Sequence, residues 1–186
     1  MKRIFDLVLA SVIIVVSMAP LVVIALLVRL TSIGTVLYWS DRVGSGNRIF
    51  RMPKFRTMQI GAPTVATHLL GNPDRYLTPI GSFLRKSSLD ELPQLWNIIK
   101  GDMSFVGPRP ALFNQTDLIE MRTRCGVHRL VPGLTGWAQI NGRDELPIPD
   151  KVALDVEYMH GQSLMLDIKI IFLTALKVVR RDGVSH

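Results

Sequence analysis

The segment Ser87-Ser88-Leu89-Asp90-Glu91-Leu92-Pro93-Gln94 places two carboxylates side by side at the head of an apolar stretch. Helix capping alone would account for them: Ser88-x-x-Glu91 has capping-box spacing, and acids favour a helix N-terminus. Pro93 bears on that reading. With Ser88 as N-cap, Pro93 falls past the first turn, where its missing N–H removes a bond. A helix beginning at Asp90 tolerates it better. Asp90 then stands at a helix mouth beside unpaired N–H donors, a place that attracts phosphate. Successive helical residues point about 100° apart, so Asp90 and Glu91 need not share a task. One can attack phosphorus while the other holds a cation or a proton. Attack on a pyrophosphate requires its anionic oxygens to be neutralised, by Mg²⁺ and by Arg or Lys. Lys54, Arg56, Arg85, Arg109 and Arg143 all lie in or beside turns. Taken singly, each reads as a solvated surface charge. Together, around loops stiffened by Gly and Pro, they point to a diphosphate substrate.

Other chemistries find little support. No His-Glu-x-x-His zinc pattern and no Gly-x-Ser-x-Gly elbow occurs. The four histidines (His68, His128, His160 and His186) are scattered, and the single cysteine, Cys125, excludes an internal disulfide framework. With 22 Lys plus Arg against 15 Asp plus Glu, the net charge is +7, which calls for an anionic partner. Nucleic acid is disfavoured by the apolar N-terminal segment. The 186 residues make room for one domain.

What must position these residues begins with a membrane-seeking element. Residues 7–28 are 22 residues without a formal charge, about 33 Å of helix, close to the thickness of a bilayer's hydrocarbon core. Pro20 should kink or break that helix, and Ser17 could satisfy a freed carbonyl. A kinked helix could still span the membrane; a broken one could dip in and return. Basic residues lie on both sides, with Lys2 and Arg3 before and Arg29, Arg42 and Arg48 after. Keeping both ends cytoplasmic favours the re-entrant form.

Beyond it, residues 36–39 and 49–52 flank the turn Gly44-Ser45-Gly46-Asn47 and read as a β-hairpin. Residues 62–74 read as a loop. Helices are expected at 92–100, 112–124, 150–160 and 164–180. In the last of these, Lys169, Lys177 and Arg180 give an apolar body a basic stripe. That suits either an anionic membrane surface or a core helix with a solvated edge. The fold class is α+β, mainly helical: a re-entrant membrane helix broken near Pro20, a small β-hairpin and interfacial amphipathic helices. Residues 1–32 form the membrane element, and residues 33–186 a cytoplasmic domain integrated with it. A membrane-anchored module binding anionic lipid or protein, with Asp90-Glu91 merely capping, is the rival reading.

Four motifs then occur in order: Lys54-Phe55-Arg56-Thr57-Met58, Ser88-Leu89-Asp90-Glu91-Leu92-Pro93-Gln94, the run from Lys100 through Gly107-Pro108-Arg109-Pro110, and Pro132-Gly133-Leu134-Thr135-Gly136-Trp137-Ala138-Gln139. With these the chain closely resembles the bacterial sugar transferases that act as monotopic phosphoglycosyl transferases, in their small form. The resemblance implies transfer of a phospho-sugar from a UDP-sugar, suggested to be an N-acetylated amino sugar, to polyprenyl (undecaprenyl) phosphate, with release of UMP. It implies Mg²⁺ at the Asp90-Glu91 pair, Asp90 as nucleophile through an aspartyl-phosphosugar intermediate, and Glu91 binding or positioning the metal. Lys54, Arg85, Arg109, Arg143 and Asp155 match positions tied to the active site or its support, and Arg56 is a further candidate for substrate binding. It implies residence in the bacterial cytoplasmic membrane among phospholipids, with the catalytic domain on the cytoplasmic face. Apolar surfaces near the membrane could support a homodimer. Departures from the family's pattern are the separation of Ser17 from Pro20, Val131 where relatives carry a basic residue, and Pro147-Ile148-Pro149 where they carry a tryptophan.

Overall fold

The computed structural model describes residues 1–63, 73–142 and 146–180. The chain is mostly helical with a small sheet. Its first element, α1 (Lys2–Thr31), is one helix of 30 residues. It runs through Pro20 without interruption, so the expected break does not divide the element. Ser17 does form a side-chain bond, but its hydroxyl donates to the carbonyl of Ile13 at 2.6 Å. The carbonyl that Pro20 deprives of an N–H is that of Val16, one turn before it.

One face of α1 docks on the rest of the molecule along its length. Asp6, Ala10, Ser17, Ile24 and Val28 are buried at intervals of four or seven residues. That is the spacing of a single helix face. The face opposite carries Ile4, Val8, Val12, Val15, Val16, Val22, Val23 and Leu26, all exposed. Ala10 joins the main core with Phe50, Met52, Leu95, Ile98, Met103 and Phe105. Ile24 and Val28 join a second cluster with Phe55 and Leu84. Both ends of the apolar helix are therefore seated on the same body.

Polar groups fix its first turns. Lys2 Nζ donates to Asp167 Oδ2 at 2.6 Å and to the carbonyl of Val106 at 2.9 Å. The guanidinium of Arg3 donates to the carbonyls of Ile98 and Ile99. Asp6 accepts from Ser104 Oγ at 2.8 Å and from the amide of Phe105 at 3.2 Å. A buried carboxylate requires such partners.

The expected hairpin is present and longer than its sequence signal. β1 (Leu37–Val43) and β2 (Ile49–Phe55) pair antiparallel in full register, Leu37 opposite Phe55 and Val43 opposite Ile49. The turn between them places Gly46 and Asn47 at positive φ, the backbone that glycine and asparagine tolerate. β1 is the central strand and β2 an edge. Pro53 sits on that edge, where its missing donor breaks no ladder. Next come α2 (Gly81–Lys86), a short 3-10 helix (Leu89–Gln94) and α3 (Leu95–Lys100). The expected helix over 92–100 is thus shorter, because Pro93 keeps its first part in 3-10 geometry. β3 (Ser104–Val106) pairs in parallel with β5 (Gly133–Thr135), while β4 (Ala111–Leu112) pairs with β1. β4 takes the start of the segment expected to be helical over 112–124, and α4 (Thr116–Arg124) keeps the remainder. α5 (Trp137–Ile140), α6 (Ile148–Gly161) and α7 (Leu164–Arg180) complete the chain.

α7 departs from expectation in its lysines. Lys177 donates to the carbonyl of Ile140 at 2.6 Å, and Lys169 lies 5.9 Å from the Trp137 ring centroid. Both engage α5. The exposed residues of α7 include the apolar Met165, Ile168 and Phe172, with Lys169 exposed among them. Most of the expected loop over 62–74 lies outside the described residues.

Candidate active site

Three short elements converge on Asp90. The hairpin provides one wall, because alternation along β1 puts Tyr38, Ser40 and Arg42 on one face and the register sets Lys54 opposite Tyr38. α2 provides Arg85. The 3-10 helix, packed on β2, provides Asp90 and Glu91. Ser88, just before it, takes a left-handed conformation (φ 56°) and makes no side-chain capping bond. The capping-box reading therefore fails here. A non-glycine residue held in that conformation costs of order 1 kcal/mol and is often found beside functional groups.

These residues enclose a cavity of about 350 Å³ walled by Tyr38, Ser40, Arg42, Lys54, Arg56, Arg85 and Asp90. Asp90 is only 7% exposed, and no hydrogen bond joins its carboxylate to another described residue. Burial is the largest influence on it and pushes its pKa up to about 6. Glu91 adds to the rise, while Lys54, Arg85 and Arg109 oppose it. Glu91 is held the other way. Burial raises it, but Lys54 and Arg109, with Arg42 beyond, outweigh burial and bring it down to about 2. Lys54 Nζ donates to Glu91 Oε1 at 2.6 Å, and Arg109 approaches the same oxygen at 3.5 Å. The two neighbouring carboxylates thus differ in kind. Glu91 is locked as an anion against cations, and Asp90 faces the cavity as a more basic carboxylate.

Arg109 owes its place to backbone packing. Gly107 N–H donates to the carbonyl of Thr135 at 2.9 Å, and Gly133 N–H to that of Pro108 at 3.0 Å. A Cβ on Gly107 would come within 2.3 Å of the carbonyl oxygen of Val131. The Gly-Pro-Arg-Pro and Pro-Gly-Leu-Thr-Gly motifs are therefore two halves of one contact. From the far side, Arg122 donates to the carbonyl of Arg109 at 2.7 Å and to Asp155 Oδ2 at 2.7 and 2.9 Å. Asp155 is 2% exposed and does not line the cavity. It reaches the site only through Arg122 and the backbone of Arg109.

The structure therefore brings together Asp90, Glu91, Lys54, Arg85 and Arg109. Arg56 forms part of the cavity wall, but it also ties down the chain after α1, donating to the carbonyl of Ile33 at 2.8 Å and to Thr35 Oγ1 at 2.7 Å. Arg143 lies outside the described residues. Sequence reasoning missed Arg42, Ser40 and Tyr38, which the every-second-residue pattern of β1 could have singled out. It also missed Arg122, for which the sequence carries no signal.

A bacterial sugar transferase family model matches residues 1–181. The chain belongs to that family. It is 44% identical over 185 residues to the undecaprenyl-phosphate glucose phosphotransferase of Komagataeibacter xylinus, covering 93% of this chain and 35% of that protein. It is 39% identical to a Bacillus subtilis protein named uncharacterized sugar transferase EpsL, covering 100% of this chain and 91% of that one. Identity is 40% to the UDP-glucose:undecaprenyl-phosphate glucose-1-phosphate transferase of Escherichia coli, over 95% of this chain and 40% of that protein. The chain thus spans well under half the length of these two glucose transferases and nearly all of EpsL.

Among the described residues, no group of three or more His, Cys, Asp and Glu could hold a metal ion. The carboxylates at the site are Asp90, in the cavity wall, and its neighbour Glu91, whose Oε1 is held by Lys54 and Arg109. That set fits Mg²⁺, which is usually held by one or two carboxylates together with substrate phosphates and water.

Proposed function

We propose that this protein transfers a phospho-sugar from a UDP-sugar to undecaprenyl phosphate, through a covalent intermediate on Asp90. The observation that carries the reading is the carboxylate of Asp90. It is buried and raised in basicity, and it faces a cavity walled by Arg42, Lys54, Arg56 and Arg85. With a pKa of about 6 it is mostly ionised at neutral pH, yet a better nucleophile than an ordinary aspartate. The basic wall suits the anionic oxygens of a diphosphate.

In the first step an oxygen of Asp90 forms a bond to the sugar-bearing β-phosphorus. The bond from that phosphorus to the bridging oxygen breaks, and UMP leaves with the electron pair. A phosphate oxygen of undecaprenyl phosphate then attacks the same phosphorus and displaces the Asp90 carboxylate. The products are UMP and an undecaprenyl-diphosphate sugar. Lys54 and Arg109 hold Glu91 ionised and fixed in place throughout. Mg²⁺, held by the carboxylates of Asp90 and Glu91, would supply further neutralisation of the diphosphate.

The seating of α1 supports a monotopic, re-entrant arrangement at the cytoplasmic face of the inner membrane. Its N-terminal turns and its C-terminal end dock on the same body, and the face left over is apolar. A cavity held at the membrane surface in this way would be open to both a soluble nucleotide and a lipid phosphate. The glucose in the names of two relatives makes UDP-glucose the first donor to test, ahead of N-acetylated amino sugars. The test is UMP release from a panel of UDP-sugars with Mg²⁺. One donor should give release that falls by about a thousandfold or more in Asp90→Ala. Release that survives the substitution would remove Asp90 from the chemistry. Absence of release with every donor would favour a binding module.

A further inference from the structure

The cavity wall meets the chain just after α1. Ile60 lines the cavity and is 70% exposed. Gly34, just beyond the helix, has φ +112°, and a Cβ there would meet the Arg56 guanidinium and lie 3.1 Å from Ile60 Cδ1. Arg56, in the cavity wall, bonds to the carbonyl of Ile33 and the hydroxyl of Thr35. The end of the apolar helix and the basic wall of the cavity are therefore one piece of structure. Outside that junction Leu30 is 80% exposed and Ile33 87%, with the exposed Arg29 beside them donating to the carbonyl of Gly34. Inside it stand Arg56, Lys54, Arg85 and then Asp90. α2 makes the same transition within three residues. Phe83 is exposed, Leu84 packs with Ile24 and Val28, and Arg85 lines the cavity. Exposed aliphatic residues scattered singly are ordinary on a protein surface; here Ile33 and Ile60 both adjoin the Arg56 wall of a cationic pocket.

We infer that Leu30, Ile33 and Ile60 form the entrance for the lipid acceptor. They receive the first isoprene units of a polyprenyl phosphate while its phosphate reaches the Arg56 and Arg85 wall. The inference rests on the transferase reading and adds the side from which the acceptor arrives. Charge and hydrophobicity together select the occupant: an anionic phosphate joined to a hydrocarbon tail satisfies both halves of the junction. A nucleotide sugar has no use for the apolar border.

The test measures KM for undecaprenyl phosphate and for the UDP-sugar in Ile33→Asp, in nanodiscs of phosphatidylethanolamine and phosphatidylglycerol. Phe172→Asp on α7 serves as a control for general membrane seating, and co-sedimentation with vesicles of the same lipids is followed in both. The acceptor KM should rise about tenfold in Ile33→Asp, the size of one lost Ile contact. The donor KM and vesicle binding should stay within about twofold. Acceptor KM within twofold of wild type would overturn the entrance. So would a rise that Phe172→Asp reproduces in step with lost vesicle binding, which would assign the effect to seating alone. Failure of the transferase reading is distinct, because the wild-type protein would then release no UMP from any donor.

Discussion

A carboxylate in the position of Asp90 carries a cost in stability. Its folded pKa of about 6 lies above the ordinary aspartate value, so ionisation is harder in the folded state than in the unfolded chain. That cost is present at neutral pH and is relieved as pH falls through about 6. Glu91 has the opposite sign: its contribution is complete above the unfolded value of about 4.3 and is lost as pH falls towards about 2. Asp90→Asn should therefore be inactive yet more stable than wild type at neutral pH, by about 1 kcal/mol, as read by thermal unfolding of the metal-free protein. In the same preparation an NMR titration of the Asp90 carboxyl should have its midpoint near 6. Lys54→Met should move it higher, because Lys54 is the largest of the influences that lower it. Asp155 also has a raised pKa, from burial that Arg122 only partly offsets. The pair therefore gives little net stability, and its service is to hold the backbone of Arg109. Asp155→Ala leaves Arg122 buried without its carboxylate and should cost about 3–5 kcal/mol, measured by denaturant unfolding.

At the scale of elements, the proposed seating of the active site rests on α1. A straight single span would carry one end of the helix away from the catalytic body, and neither end is free to leave. Lys2 and Arg3 bond to Asp167 and to the end of α3, while Ile24 and Val28 are buried against Phe55 and Leu84. With the native Cys125 replaced by Ser, cysteines placed at Ile4 and at Leu30 should both resist an impermeant reagent applied to the periplasm. Both should react once the cells are opened. Labelling of Ile4→Cys alone in intact cells would restore the span. The sequence made the apolar run, the hairpin, α6 and α7 legible, because each is local in cause: periodicity, turn residues, Pro and Gly at ends. It did not show the partners of the flanking charges within the fold. Lys2 and Arg3 suggested topology through lipid and potential, whereas their partners are a carboxylate and carbonyls of distant segments. The partners of the α7 lysines were hidden for the same reason. Hydrogen-bond partners 37 to 165 residues away along the chain leave no trace in local pattern.

For the whole molecule, the same limit divides what was legible at the site. Asp90, Glu91, Lys54, Arg85 and Arg109 could be gathered by type and by resemblance; the structure sets Asp90, Lys54 and Arg85 on one cavity and joins Glu91 to Lys54 and Arg109. Arg42 lay within reach of β1's alternation but was missed, whereas Arg122 needed the fold, since it depends on a buried ion pair between α4 and α6. The assembled molecule presents one continuous apolar exterior on α1, exposed apolar residues on α7, and a basic cavity whose wall meets the chain just after α1. Such an arrangement suits a transfer between a soluble donor and a lipid acceptor in two separate steps, with the phospho-sugar parked on Asp90 in between. The most direct test withholds the acceptor. After incubation with Mg²⁺ and the active UDP-sugar alone, followed by rapid acid quench and proteolysis, mass spectrometry should find the phospho-sugar on the peptide that contains Asp90. Undecaprenyl phosphate should chase it off. An unmodified Asp90 peptide, in protein that turns over normally once acceptor is added, would contradict the account.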